Sequence, residues 1–146
     1  VDGYRCWSGY NARNTDRFTE YRMRYGFQNC FITNVVKCGV QGGKPDEHDI
    51  KRCAGFLYRE LALVDPSVIV CVGQKTRDML ELSMSTWPNQ LSSAPEIIYM
   101  THYSAASRGM SVEELWRRWD REAIEIRQEL RRRGLHADEP SSGASA

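Results

Sequence analysis

The stretch SVIVCVG, residues 67–73, decides the fold, because it has the pattern of a strand buried on both faces. Its apolar run is unbroken, as in strands of parallel sheets that helices cover. A helix is predicted before it, from Asp46 to the Asp65-Pro66 pair, and another after it, over Gln74–Ser83. The first helix shows apolar residues at helical spacing: Ile50, Cys53, Ala54, Leu57, Leu61 and Val64.

The same alternation continues on both sides of this strand. CFITNVVK, residues 30–37, and EIIYMT, residues 96–101, are predicted as two further strands. A short helix is predicted from Asp16 to Tyr25, and a long helix is predicted to begin at a capping box formed by Ser111 and Glu114. Strands that alternate with helices in this way indicate βαβ units and a parallel sheet.

Length and composition set limits on the protein class. A chain of 146 residues fits one domain, predicted over 1–134, with a disordered tail over 135–146 that has almost nothing to bury. No apolar run approaches the roughly 18 residues of a membrane span. Five cysteines and no secretory signal favour reduced thiols and a cytoplasmic protein. With a net charge of only +1, any contact with nucleic acid must be local.

Two polar clusters follow predicted strands, at residues 34–38 and 102–108. In open parallel sheets, ligands bind beyond the carboxyl ends of the strands. These clusters are therefore the candidate functional residues. The last helix, by contrast, interleaves arginines with glutamates, which predicts a solvated, salt-bridged face rather than a nucleic-acid surface.

Three segments, in order, carry a resemblance to a known family. They resemble the uracil-DNA glycosylase superfamily, nearest to its iron-sulfur branch. The segments are FITNVVKCGVQGGKP (31–45), the stretch from KRCAGFLYRE to CVGQKTRDML (51–80) and THYSAASRG (101–109). The resemblance implies a three-layer α/β/α fold with a short parallel sheet. The family's G-E-x-P-G-like motif has no counterpart, so the first central strand is expected to be missing. An upstream segment or a partner chain would complete the sheet.

The resemblance implies roles for two residues. Asn34 would hydrogen-bond the flipped base, since an amide has both donors and an acceptor. His102 would donate to the base oxygen that gains charge as the glycosidic bond breaks. The alternatives are that Asn34 satisfies backbone groups at a strand end and that His102 is an ordinary loop histidine.

Further residues would contact the substrate. Ser104 and Ala105 would let a phosphate backbone approach, and Arg108 would add positive charge. Tyr103 stands where the family usually has proline; it could stack on a base or pack on the sheet edge. Trp7, an aromatic before a glycine-rich turn, is a second candidate for stacking.

The cysteines suggest a cofactor. Cys38 and Cys53 match the spacing of the last two cluster ligands in the iron-sulfur branch, which implies a [4Fe-4S] cluster. Four thiolates hold such a cluster, and the family's C-x-x-C pair is absent, so the set is incomplete. Alternatively, Cys53 belongs to the apolar stripe of its helix. Cys30 and Cys71 are predicted as core residues.

The resemblance implies a DNA glycosylase that hydrolyses the N-glycosidic bond of uracil or another altered base in single- or double-stranded DNA, as in base excision repair. One alternative is a catalytically silent relative that binds nucleic acid or a protein partner through the same cleft. Another is an unrelated α/β domain with a metal bound by cysteines. No membrane partner is expected.

Overall fold

The computed structural model describes residues 12–37, 44–88 and 91–138. The elements in chain order are α1 (Ala12–Tyr25), α2 (Glu47–Val64), β1 (Val68–Val72), α3 (Gln74–Met84), β2 (Glu96–Met100), a 3₁₀ helix (Tyr103–Arg108) and α4 (Val112–Arg132). The chain divides into two compact units. The central unit comprises residues 31–100, and the terminal unit combines residues 1–30 with 101–146. The predicted domain over 1–134 spans both.

The central unit contains a parallel pair of strands. β1 and β2 run in register from Val68 opposite Glu96 to Val72 opposite Met100. Helix α3 connects them, as a crossover between parallel strands requires. The predicted strands at 67–73 and 96–101, and the short parallel sheet of an α/β/α protein, are therefore confirmed.

The strand predicted over residues 30–37 was wrong. In the described part of the chain this segment pairs with no strand, although Val35 is only 8 % exposed. Val35 packs into a core cluster with Leu57, Leu61, Cys71 and Leu80. An apolar run predicts burial, whereas a strand also needs a neighbouring backbone with free hydrogen-bonding groups. Side chains of α2, β1 and α3 bury Val35 instead, while Phe31 at the start of the segment is 57 % exposed.

Helix α2 follows its predicted boundaries. Asp46 and Asp49 form a capping box: each carboxylate accepts from the other's amide, at 2.8 and 3.3 Å. The left-handed Asp65 ends the helix at the predicted place. Of the predicted stripe, only Val64, in the last turn, is exposed rather than buried.

The terminal unit is built around aromatic residues of α1 and α4. Trp119 of α4 has no exposed surface, and its ring centroid lies 5.0 Å from that of Tyr21 in α1. Ser111 caps α4 by accepting from the Glu114 amide at 3.0 Å, as predicted. The Glu114 carboxylate pairs with Arg118 at 3.1 Å. No helix among the described residues is long and apolar enough to cross a bilayer.

The turn after α1 is held by hydrogen bonds to successive carbonyls. Gly26 has a φ of +79°, and its carbonyl accepts from the Asp138 amide at 2.8 Å. The guanidinium of the buried Arg22 donates to the carbonyls of Phe27 and Gln28, at 3.2 and 2.6 Å. Asp138, in the predicted tail over 135–146, is thus bound to the turn after α1. Residues 139–146 lie outside the described part.

Gly26→Ala is expected to destabilise the protein more than Gly134→Ala. Both glycines have left-handed φ, a conformation that costs other residues about 1–2 kcal/mol. A Cβ at Gly26 would lie 1.9 Å from the Asp138 carbonyl oxygen, whereas nothing lies within 4 Å at Gly134. Urea denaturation measures both changes. Equal losses of unfolding free energy would show that the backbone at Asp138 moves away from a Cβ at position 26 without destabilising the protein.

Candidate functional site

His102 stands at the beginning of the 3₁₀ helix and caps it. Its Nδ1 accepts from the Ser104 amide at 3.0 Å, and the Ser104 hydroxyl lies 2.7 Å away. Since Nδ1 is an acceptor, the proton of the neutral ring is on Nε2. The ring therefore has one defined donor, Nε2–H.

The surroundings of His102 favour the neutral ring. Burial lowers the pKa of His102 below its ordinary value of 6.5, and the positive charge of Arg108 lowers it further. A protonated ring would also lose the acceptor that binds the Ser104 amide. At neutral pH His102 is thus an uncharged hydrogen-bond donor.

Tyr103 packs inside the terminal unit. It is 6 % exposed, and its ring centroid lies 4.1 Å from that of His102 and 5.5 Å from that of Phe18 in α1. Of the two roles considered for Tyr103, burial favours packing over stacking on a base, and the packing is against Phe18 of α1 and His102. The tyrosine ring therefore supports the histidine ring from one side.

The small residues after Tyr103 form a 3₁₀ helix rather than an irregular loop. The Ala105 amide donates to the His102 carbonyl at 2.9 Å, and Gly109, with a φ of +102°, ends the helix. Ser104 and Ala105 are partly exposed and Arg108 is exposed. This leaves backbone and one cation accessible at the surface, while the Ser104 hydroxyl is directed at His102.

Residues of α4 bind every polar group of Thr101, directly before His102. The Glu122 carboxylate accepts from the Thr101 amide at 2.8 Å and from its hydroxyl at 2.6 Å. The Trp119 indole donates to the Thr101 carbonyl at 2.9 Å. Sequence reasoning missed Glu122, which was counted with the solvated face of α4. Its position between the buried Trp119 and Ala123 was the available signal.

Asn34 lies in the central unit and is exposed. On either side of it, Thr33 and Lys37 donate to the Glu60 carboxylate of α2, at 2.6 and 2.5 Å. Burial acts to raise the pKa of Glu60, but the hydrogen bonds from Lys37 and Thr33 outweigh it and hold the pKa below its usual range. The predicted residues from His102 to Arg108 lie together in the terminal unit.

The predicted cluster ligands are only partly described. Trp7 and Cys38 lie outside the described residues, while Cys53 is fully buried on α2. Cys71 is a core residue as predicted, and burial raises its pKa to about 11. Cys30 was predicted as core but is exposed, because it follows the turn after α1 rather than lying in a strand; its thiol donates to the Phe27 carbonyl.

The described residues do not assemble a thiolate site. Among them, the group of potential metal ligands that lie close together is Asp46, His48 and Asp49, which contains no cysteine. Both of its carboxylates already serve the capping box of α2. The geometry of the described chain therefore gives no support for a bound cluster beyond the position of Cys53.

Comparisons with known proteins identify relatives. The type-4 uracil-DNA glycosylase from Archaeoglobus fulgidus is 35 % identical to this chain over 48 residues. Those from Sulfurisphaera tokodaii and Saccharolobus solfataricus are 40 % identical over 45 residues and 30 % identical over 59 residues, respectively. These matches cover 32 %, 30 % and 40 % of this chain and 24 %, 20 % and 27 % of the relatives. The chain thus matches about a quarter of their length. No solved structure matches.

A family model gives the broadest match. The model of the Uracil DNA glycosylase superfamily matches residues 10–123, which include both candidate clusters and most of the described elements. This excludes the alternative of an unrelated α/β domain and confirms the resemblance drawn from the motifs. The chain belongs to the uracil DNA glycosylase superfamily.

Proposed function

We propose that this protein hydrolyses the N-glycosidic bond of uracil or another altered base in DNA, as a base-excision enzyme of the cytoplasm. The observation that carries the proposal is the neutral His102, whose Nδ1 is occupied by Ser104 and whose Nε2–H is therefore a fixed donor. Membership of the superfamily supports DNA as the partner.

The proposed role of His102 follows from where charge develops. As the bond between the sugar C1′ and the base nitrogen breaks, its electron pair moves into the base and negative charge grows on a carbonyl oxygen of the base. A preorganised donor to such an oxygen accelerates a reaction roughly 10²–10³-fold. Water supplies the hydroxyl group that C1′ gains, and its proton ends on the departing base.

The other predicted residues would hold the DNA. We assign the exposed Asn34 to the edge of the flipped base, because an amide offers complementary donor and acceptor atoms. The exposed Arg108 and the backbone around Ala105 would contact phosphates. Trp7 remains a candidate for stacking on the base. The buried Tyr103 is left out of these contacts.

His102→Ala is expected to lower kcat on a uracil-containing oligonucleotide by roughly 10²–10³-fold while DNA binding persists. The assay measures strand breaks after alkali treatment, and gel shifts measure binding. His136→Ala, which changes an exposed histidine of the same unit, is the matched control and should cleave like the parent.

Two outcomes would contradict the proposal. If His102→Ala cleaves as fast as the parent, the role given to His102 is wrong. If the intact protein binds the oligonucleotide but produces no breaks, the protein is the catalytically silent relative considered above.

The pH profile should reflect the tautomer of His102. Protonation at Nδ1 would break the bond from the Ser104 amide that orients the ring. Because the pKa of His102 is lowered, kcat should hold as pH falls through 6.5 and decline only at lower pH. Arg108→Gln removes a positive charge, raises the pKa of His102 and should move this decline to higher pH at saturating DNA. Arg131→Gln, on the exposed surface of α4, should leave the profile unchanged. Identical profiles for all three proteins would exclude control by His102.

The predicted [4Fe-4S] cluster is proposed separately, with no step of the reaction assigned to it. It would use Cys38, Cys53 and two further thiolates. Iron and acid-labile sulfide analysis should find both elements in the parent and a loss in Cys53→Ser. Cys71→Ser, which alters another buried cysteine of the central unit, should keep them. A parent without iron would end the cluster proposal.

A further inference from the structure

Each of the two candidate catalytic residues directly follows a threonine that a helix holds through a glutamate. Thr33 precedes Asn34 in the central unit, and Thr101 precedes His102 in the terminal unit. In both units the threonine hydroxyl donates to a carboxylate oxygen at 2.6 Å. The same arrangement thus occurs twice, each time next to a residue that the mechanism uses.

The bonds at Thr101 attach the loop of His102 to α4. The Nδ1 contacts of His102 are to Ser104, within the same loop, so they orient the ring relative to the loop. They do not fix the loop to the rest of the unit. Packing of Tyr103 on Phe18 contributes to that attachment, and its hydrogen bonds come from Glu122 and Trp119, which bind the amide, hydroxyl and carbonyl of Thr101.

Burial makes this attachment specific. Thr101 is 5 % exposed, so water cannot easily replace a lost partner of its amide or hydroxyl. One oxygen of Glu122 accepts from the amide and the other accepts from the hydroxyl. A side chain without polar atoms at position 122 would leave both Thr101 groups unpaired. Glutamine could keep both bonds, because its oxygen accepts from the amide and its NH2 group donates to the hydroxyl oxygen.

The bonds at Thr33 attach the segment of Asn34 to α2. Glu60 accepts from Thr33 on one side of Asn34 and from Lys37 on the other. Lys37 also contacts the Thr33 hydroxyl. These residues hold the backbone around Asn34, while its own side chain remains exposed.

We propose that Glu122 and Glu60 are positioning residues, each within its own unit. Glu122 fixes Thr101 and thereby places His102, and Glu60 fixes Thr33 and thereby places Asn34. The catalytic part of this inference rests on the proposed function. The attachment of each segment to its helix can be tested without it.

The first experiment compares Glu122→Met with Glu125→Met, an exposed position of the same helix. Glu122→Met removes both acceptor oxygens and should lower kcat roughly 10- to 100-fold with little change in KM, since a small misplacement of a catalytic group has effects of this size. It should also speed amide hydrogen exchange at residues 101–104 in the DNA-free protein. Glu125→Met should change neither quantity.

Rescue separates positioning from general destabilisation. Glu122→Gln serves as the rescue, because the glutamine oxygen can accept from the Thr101 amide and its NH2 group can donate to the Thr101 hydroxyl oxygen. This variant should recover most of the kcat and of the slow exchange that Glu122→Met loses. If Glu122→Met does not fold, Thr101→Val alone replaces it, with a smaller loss of kcat and faster exchange expected.

The Asn34 side is tested with Thr33→Val, which removes the hydroxyl donor to Glu60 and preserves shape. Because Asn34 would read the base, KM for the uracil oligonucleotide should rise several-fold more than kcat falls. Thr86→Val is the control, because the Thr86 hydroxyl of the central unit also donates a hydrogen bond, to the Ser83 carbonyl. It should leave KM unchanged.

The outcomes distinguish this inference from the proposed function. If the parent does not cleave DNA, the function fails, and hydrogen exchange at residues 101–104 still decides whether Glu122 holds the loop. If the parent cleaves, and Glu122→Met matches Glu125→Met in both kcat and exchange, positioning by Glu122 is overturned. An unchanged KM in Thr33→Val overturns the corresponding role of Glu60.

Discussion

The bonding of Thr101 by α4 is the interaction on which the site depends. Where the chain leaves a strand, its buried N–H and C=O groups lose their sheet partners and need others. Glu122 and Trp119 supply them. Trp119 also fills the core of the terminal unit and packs against Tyr21. The same helix face that builds the core therefore sets the start of the His102 loop.

Local patterns predicted the helices well, because helical periodicity and capping depend on residues close in sequence. The stripe from Ile50 to Leu61, its capping aspartate and the Ser111 cap all occur in the structure. The pairing of residues 30–37 could not be predicted in this way. A strand requires a partner backbone distant in sequence, and Val35 is buried by side chains of α2, β1 and α3 without such a partner.

The candidate residues could be found from motifs, but their supports could not. Glu122 lies among alternating arginines and glutamates, and composition alone places it with the exposed Glu125. Its role depends on the helix face, since it follows the buried Trp119 by three residues and precedes the buried Ala123. Glu60 occupies the same relation to Leu57 and Leu61. A carboxylate in that position borders the apolar stripe, and a threonine near the stripe can bind it.

Tyr103 shows how a different residue can serve the purpose of the family's usual proline. A proline at this position would restrict the preceding residue to extended backbone with ψ between about +120° and +160°. His102 has that conformation, with φ −67° and ψ 135°, although no proline imposes it. Here, packing of Tyr103 on Phe18 and the bonds at Thr101 act from both sides of His102. Tertiary contacts with α1 and α4 therefore flank His102 where a proline ring would otherwise constrain its backbone.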